Sequence, residues 1–179
     1  MPRWYMEEKN ISYELVEISL GSGENLQSDF LSVNPFGKLP AMSDDSILDS
    51  SGKPVTLFES GAILLHLAEH HGGEVAKSSD RSIISQWTHF ANSTLAFAIF
   101  VPDQKIKVLP RLLQQLDSQM KHGFLTGDNW GAADCAVTAY LAYIKLFFPN
   151  ENLTNYPTIN NLIESTNQRS AYKKAMGKS

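Results

Sequence analysis

The chain has 179 residues, 42% of them apolar, and a formal net charge of −4, a composition that suits a globular protein with one sizeable core or two small ones. A pI near 5.7 without basic runs excludes a general nucleic-acid or anionic-membrane surface, because both depend on clustered Lys and Arg. The single cysteine, Cys135, excludes an internal disulfide and a Cys-rich metal framework.

Residues 2–9 read as a helix: Pro2 is tolerated in a first turn, Trp4, Tyr5 and Met6 are apolar, and Asn10 can close it in a left-handed conformation. No apolar run precedes Glu7 and Glu8, so no signal peptide is read and a cytoplasmic location is expected. Ser12 to Ile18 has the aromatic and β-branched content of a strand, broken by Gly21-Ser22-Gly23. That glycine pair lacks the third glycine of a dinucleotide fingerprint and is read as a loop. A short helical piece through Phe30 and Leu31 runs into the turn Asn34-Pro35-Phe36-Gly37. Leu39–Met42 and Val55–Phe58 are expected as two strands, joined by a polar loop from Ser43 to Pro54. From Ser60 to His71, Ile63, Leu64, Leu67 and Ala68 predict a one-sided helix closed by Gly72-Gly73.

Residues 74–80 are polar and short enough to be a linker, which divides the chain into 1–73 and 81–179. The second part has helical spacing throughout: Ile83, Trp87, Phe90 and Ala91 in one segment, then Ile106, Leu109, Leu113, Leu116 and Met120 in the next. Pro102 separates these two helices, and Pro110 should start or kink the second. An apolar helix from Ala132 to Phe148 and an amphipathic helix after Pro157 complete the pattern. The stretch from Ala136 to Phe148, interrupted by Thr138 and Lys145, falls short of the roughly 20 residues a membrane span needs. The expected architecture is a small α/β half followed by an all-helical half.

Two segments carry potential chemistry. In Asn34-Pro35-Phe36-Gly37-Lys38-Leu39-Pro40 the proline restricts Leu39 to an extended conformation. The segment is either a plain turn before an edge strand or a place where a peptide-like ligand adds as a short strand to the Leu39 backbone. Glu59-Ser60 stands where a strand ends and a helix begins. Ser60 is a good N-cap, and the free N–H groups of that first turn attract a carboxylate while Glu59 could receive an ammonium group.

These segments, at this separation and with a helical half behind them, resemble the glutathione transferase family, which has an N-P-x-G-x-V/L-P turn and an E-S pair opening a helix about 20 residues on. Phe58-Glu59-Ser60-Gly61-Ala62-Ile63-Leu64 and Leu67-Ala68-Glu69 are similar to that helix, and the resemblance runs over nearly the whole chain. It implies a thioredoxin-like α/β domain over residues 1–73, a linker at 74–80 and an all-α domain over 81–179. Leu39 would pair its backbone with the cysteinyl part of glutathione, Pro40 would be the family's cis-proline, Glu59 and Ser60 would hold the γ-glutamyl end, and Lys38 would lie near the tripeptide. Glutathione is the expected substrate, a small electrophile its partner in conjugation or thiol exchange, and a homodimer the expected assembly.

Members of the family begin with a strand and a loop bearing a catalytic Ser, Tyr or Cys, ahead of the helix that residues 2–9 resemble. The first strand is therefore expected to be absent here, no catalytic residue is assigned, and the N-terminal sheet should be strained, rearranged or marginal. Either the sequence is an incomplete version of a transferase, or it keeps the scaffold without the chemistry as a non-catalytic interaction module. In Leu125 to Asp134 the family's N-capping Ser or Thr is replaced by Gly131, and Asp134 is read as structural. No metal is expected: His66 and His70 stand four residues apart, but no Glu follows His66 in the H-E-x-x-H manner and no third ligand is visible. Cys135 is read as a buried small hydrophobe.

Overall fold

The computed structural model describes residues 1–177. Helix α1 (Pro2–Lys9) ends as expected, with Asn10 in the left-handed region (φ 54°, ψ 36°) and its N–H on the Met6 carbonyl. Residues 11–19 form no strand, contrary to the reading of Ser12–Ile18. A strand exists only by pairing, and the sheet among the described residues consists of two other segments. Side chains hold this stretch instead: the Tyr13 hydroxyl donates to Glu7 and accepts from Arg3 Nε at 3.1 Å.

A turn of 3-10 helix (Glu24–Leu26) and α2 (Ser28–Val33) lead to the hairpin of β1 (Ala41–Leu48) and β2 (Pro54–Phe58). The strands are antiparallel, with Ala41 opposite Phe58 and Asp44 opposite Val55. β1 runs well into what the sequence presented as a loop. Ser43 and Asp44 are turn formers by habit, but cross-strand pairing overrides that local preference. The register then slips between Asp44 and Leu48, leaving residues 45–47 as a bulge. The reversal itself is confined to residues 49–53, where Asp49 Oδ1 accepts the N–H groups of Ser51 (2.7 Å) and Lys53 (3.1 Å).

Helix α3 (Ser60–His70) packs on the hairpin through one face and on α1 and the helical half through the other. The remaining elements are α4 (Ser78–His89), a π-helical segment (Phe90–Leu95), α5 (Ala96–Phe100), α6 (Pro102–Lys107), α7 (Leu109–Met120), α8 (Ala132–Phe147), α9 (Pro157–Gln168) and α10 (Ser170–Ala175). Pro102 and Pro110 stand in the first turns of α6 and α7, where a missing N–H costs nothing. The buried face of α4 and its continuation is Ile84, Thr88, Ala91 and Leu95, one residue away from the expected Ile83, Trp87 and Phe90. The smaller side chains of that ladder let the helix approach α3 and α8 closely, and Ile83 is left in solvent. Ile106 also departs from expectation, lying exposed on the separate helix α6.

Helix α8 is the centre of the core, with its first eight residues all buried. One continuous apolar cluster joins it to Trp4 and Tyr5 of α1, to Ile63, Leu64 and Leu67 of α3, and to Ile159 and Ile163 of α9. Trp4 packs edge-on against Tyr172 and tilted against Trp130, both at centroid distances of 5.1 Å. No helix among the described residues is long and apolar enough to cross a membrane.

The start of α8 shows how Gly131 is accommodated. Asp134 accepts the Gly131 N–H (3.1 Å) and the Leu125 N–H (2.8 Å), which is the half of a capping box that a glycine permits. The other half comes from Glu74, whose carboxylate accepts the Ala132 N–H at 2.8 Å. A Cβ at position 131 would sit 2.5 Å from Glu74 Oε2, so the glycine makes room for the substitute cap. Glu74 also accepts the Tyr5 hydroxyl (2.7 Å) and pairs with Lys9 (2.9 Å). Burial raises the Asp134 carboxyl above the usual range despite these N–H donors, as suits a structural residue.

Candidate functional site

The hairpin register brings the two sequence motifs together. Ala41 is paired with Phe58, so Leu39-Pro40, just before β1, and Glu59-Ser60, just after β2, emerge at the same end of the sheet. The preceding loop is held by its own side chains. Buried Asn34 donates to the Lys38 carbonyl (2.7 Å) and accepts the Phe36 N–H (3.0 Å), while Asn25 donates to the Gly37 carbonyl (2.8 Å). Gly37 has a φ of 62°, and a Cβ there would meet the Asn25 carbonyl at 3.0 Å.

Beyond this fixed turn, Lys38, Leu39 and Pro40 are exposed, and the Leu39–Pro40 peptide bond is cis. Leu39 is an apolar residue left 46% exposed, and among the described residues none hydrogen-bonds its main chain. Phe36 and Phe58 meet edge to face at 5.4 Å and close one side of this end of the hairpin.

Helix α3 begins at Ser60 as expected, but the cap position falls on Glu59 rather than on Ser60. The Glu59 backbone is in an unusual conformation, φ 68° and ψ 118°, that L-residues rarely adopt. Such strain costs of order 1–3 kcal/mol and persists where surrounding structure or function demands it. Here it turns the chain sharply from β2 into α3, with the Glu59 side chain in solvent. The Glu59 carbonyl accepts the Ile63 N–H (3.0 Å), so the N–H groups of Ser60, Gly61 and Ala62 have no acceptor inside the helix. No side chain caps them. This half-buried end is therefore positively polarised and supplied with donors, an arrangement suited to a carboxylate.

Two residues of the helical half reach this point. A Cβ on Gly61 would lie 2.6 Å from Asn92 Nδ2 and 2.8 Å from Thr88 Cγ2, so the absence of a side chain is what allows the π-helical segment to close against α3. Asn92 approaches the Ser60 hydroxyl at 3.4 Å, and its Oδ1 is buried without a hydrogen-bond partner. Beyond Asn92 opens a cavity of about 580 Å³ lined by Ser93, Thr94, Phe97, Ala98, Gln104 and Val108. A second cavity of about 530 Å³ lies among α8, α9 and α10, where none of the motif residues stand.

Cys135 is fully buried, and burial pushes its thiol up to about 12, which leaves it unreactive. Asn92 and Thr88 escaped the sequence reading. The available signal was a pair of polar residues four apart on the ladder that also holds Ile84, Ala91 and Leu95, where apolar residues would otherwise be expected. Glu74 was placed in a linker because its partners lie far away in the sequence.

The chain matches two family descriptions: the N-terminal domain of glutathione S-transferase over residues 1–69 and its C-terminal domain over residues 92–176. It is 30% identical to the disulfide-bond oxidoreductase YfcG of Escherichia coli, over 96% of this chain and 86% of that protein. Glutathione S-transferase F13 of Arabidopsis thaliana is 26% identical over 94% of this chain and 85% of its own. Among solved structures, a glutathione transferase of Burkholderia graminis with two glutathione molecules bound per subunit superposes with a TM-score of 0.76 at 25% identity, covering 97% of this chain and 81% of that one. With its two-stranded sheet and helices leading into a helical second half, the chain belongs to the glutathione S-transferase family.

Proposed function

We propose that this protein binds glutathione at the hairpin end and exchanges the glutathione thiol with disulfides or other small electrophiles. The observation that carries the reading is the convergence of an unpaired, exposed Leu39 main chain with the donor-rich tip of α3. In this reading Leu39 pairs with the cysteinyl part of the tripeptide, beside Pro40. Ser60 and the first N–H groups of α3 take the γ-glutamyl carboxylate, Glu59 takes its ammonium group, and Lys38 lies alongside. Residues 1–73 act as the glutathione-binding domain and 81–179 as the helical domain, with the cavity beyond Asn92 receiving the second substrate.

Likeness to YfcG favours thiol–disulfide exchange within this family. Because Cys135 is buried, the sulfur atoms exchanged would belong to glutathione and its substrate rather than to this residue. The glutathione thiolate attacks one sulfur of the disulfide, forms a mixed disulfide and releases the other sulfur as thiolate. A cytoplasmic homodimer belongs to the same reading by family.

Calorimetric titration with glutathione tests the binding. Ser60→Ala and Glu59→Gln should each weaken it about tenfold or more, the effect of losing a hydrogen bond to a charged group, about 1.5–3 kcal/mol. Parallel assays with a small symmetric disulfide and a chloronitroaromatic electrophile then separate exchange from conjugation. A folded protein that ignores glutathione at millimolar concentration sinks the proposal, and one that binds but turns over neither substrate is a scaffold.

A further inference from the structure

At the other end of α3, roughly 15 Å from Ser60 by the helix rise, the fold assembles a cluster that the sequence kept apart. His66 Nε2 lies 2.7 Å and His71 Nε2 2.6 Å from the same oxygen, Asp44 Oδ2. The three atoms are all within 4.8 Å of one another. The third ligand that the His66–His71 run lacks in sequence is supplied by β1, from the last regular pair before its bulge.

We propose that Asp44, His66 and His71 form a site for a borderline divalent transition-metal ion, zinc above all. Two imidazoles and one carboxylate are a common zinc donor set, and they disfavour the hard, oxygen-seeking calcium and magnesium ions. Zinc–ligand bonds of about 2.0–2.1 Å at tetrahedral angles set neighbouring ligand atoms about 3.3 Å apart. The two Asp44–imidazole separations need to open by about 0.6–0.7 Å, a change that small side-chain rotations of Asp44 and of His71, at the solvent edge, can supply. The same exposed side gives the ion its entry path and leaves a fourth position for water.

The surroundings hold the ligands in place. Asp44 Oδ1 accepts both the N–H (3.0 Å) and the hydroxyl (2.6 Å) of Ser46, which leaves Oδ2 free to face the imidazoles. The His70 ring packs against His66 at 4.5 Å. The side chains of Asp44 and His66 are each only 10% exposed, and that of His71 26%. A bound ion would clamp the hairpin to the C-terminal turn of α3. Its role is thus structural and separate from any chemistry at the Ser60 end.

The test is zinc titration of chelator-stripped full-length protein against a chromophoric competitor, with elemental analysis after dialysis. The expected result is one zinc per chain, bound at micromolar strength or tighter. Affinity should fall about tenfold or more in Asp44→Asn and in the solvent-edge variant His71→Ala, and stay unchanged in His122→Ala, whose histidine is exposed elsewhere. Cobalt(II) in place of zinc should give the visible absorption of a near-tetrahedral site in the wild type and lose it in Asp44→Asn. Zinc should raise the melting temperature of the wild type more than that of His71→Ala at the same concentration. A folded wild type that retains no zinc, or an affinity that survives both ligand substitutions, overturns the proposal. Glutathione affinity, read separately, bears on neither outcome.

Discussion

Replacing Glu74 by alanine should be among the most damaging single changes outside the apolar core. The Tyr5 hydroxyl and the Ala132 N–H both belong to residues with no solvent exposure, and both donate to this carboxylate. Each orphaned donor costs about 1–3 kcal/mol, so Glu74→Ala should lose about 2–6 kcal/mol out of a typical total of about 5–15. The Lys9 ammonium, on a side chain only 24% exposed, loses its partner as well, which adds to the cost. Gly131→Ser alone should also destabilise, by about 1–2 kcal/mol. Its Cβ would fall 2.5 Å from Glu74 Oε2 and drive the carboxylate off Ala132, although the new hydroxyl can cap the helix. In the Glu74→Ala background the clash is gone, and the same serine should restore a few tenths of a kcal/mol as an N-cap. The sign of the serine substitution therefore reverses with position 74, a coupling of about 1.5–2 kcal/mol. Urea unfolding followed by far-ultraviolet circular dichroism of the four proteins measures it. Additivity within about 0.5 kcal/mol would show that Glu74 and Gly131 do not share the cap.

Acid stability should depend on the clamp between α1 and α10. Burial opposes ionisation of Glu8, but a bidentate bond from Arg169 and the indole N–H of Trp4 hold its carboxyl below the usual value of 4.5. A lowered folded-state pKa contributes stability that is complete above the unfolded value and lost as pH falls through the folded one. Arg169→Gln should consequently flatten the pH dependence of the urea midpoint below pH 4.5, and an unchanged slope refutes the assignment. Cys135, fully buried with its thiol pushed up to about 12, should react with an aromatic disulfide reagent only as fast as the protein unfolds. Rapid stoichiometric labelling of the folded chain would contradict its placement and reopen a role for it in exchange.

The elements legible in the sequence were those fixed by local chemistry. Pro2 and Asn10 bracket α1, Gly72-Gly73 follow α3, and the apolar run after Gly131 is α8. That Leu39-Pro40 and Glu59-Ser60 leave the same end of the sheet was also legible, because a hairpin of two adjacent strands brings its outer ends together whatever lies between. Where local preference and tertiary pairing disagree, the sequence misled. Ser43 and Asp44 look like a loop yet pair in β1, and Ser12–Ile18 looks like a strand yet has no neighbour among the described residues. The buried ladder of α4 was misplaced by one residue because Trp87 and Phe90 are bulkier than Thr88 and Ala91, and close helix packing prefers the small side. Asp44 and Glu74 were invisible for one shared reason. Their partners, His66 and His71 for the first and Tyr5 and Ala132 for the second, are gathered only by the completed fold.

The continuous cluster that runs from Trp4 through α3 and α8 to Tyr172 has a mechanical consequence. Because one apolar cluster spans both halves, the molecule lacks a plane along which to swivel, and it should melt in a single sigmoid rather than in two steps. Cleavage in the exposed stretch at residues 76–79 should leave a nicked but associated complex, since neither fragment can dry its own apolar face alone. A ligand taken at the hairpin end would then be met by side-chain rearrangement at the rim rather than by a swing of one half against the other.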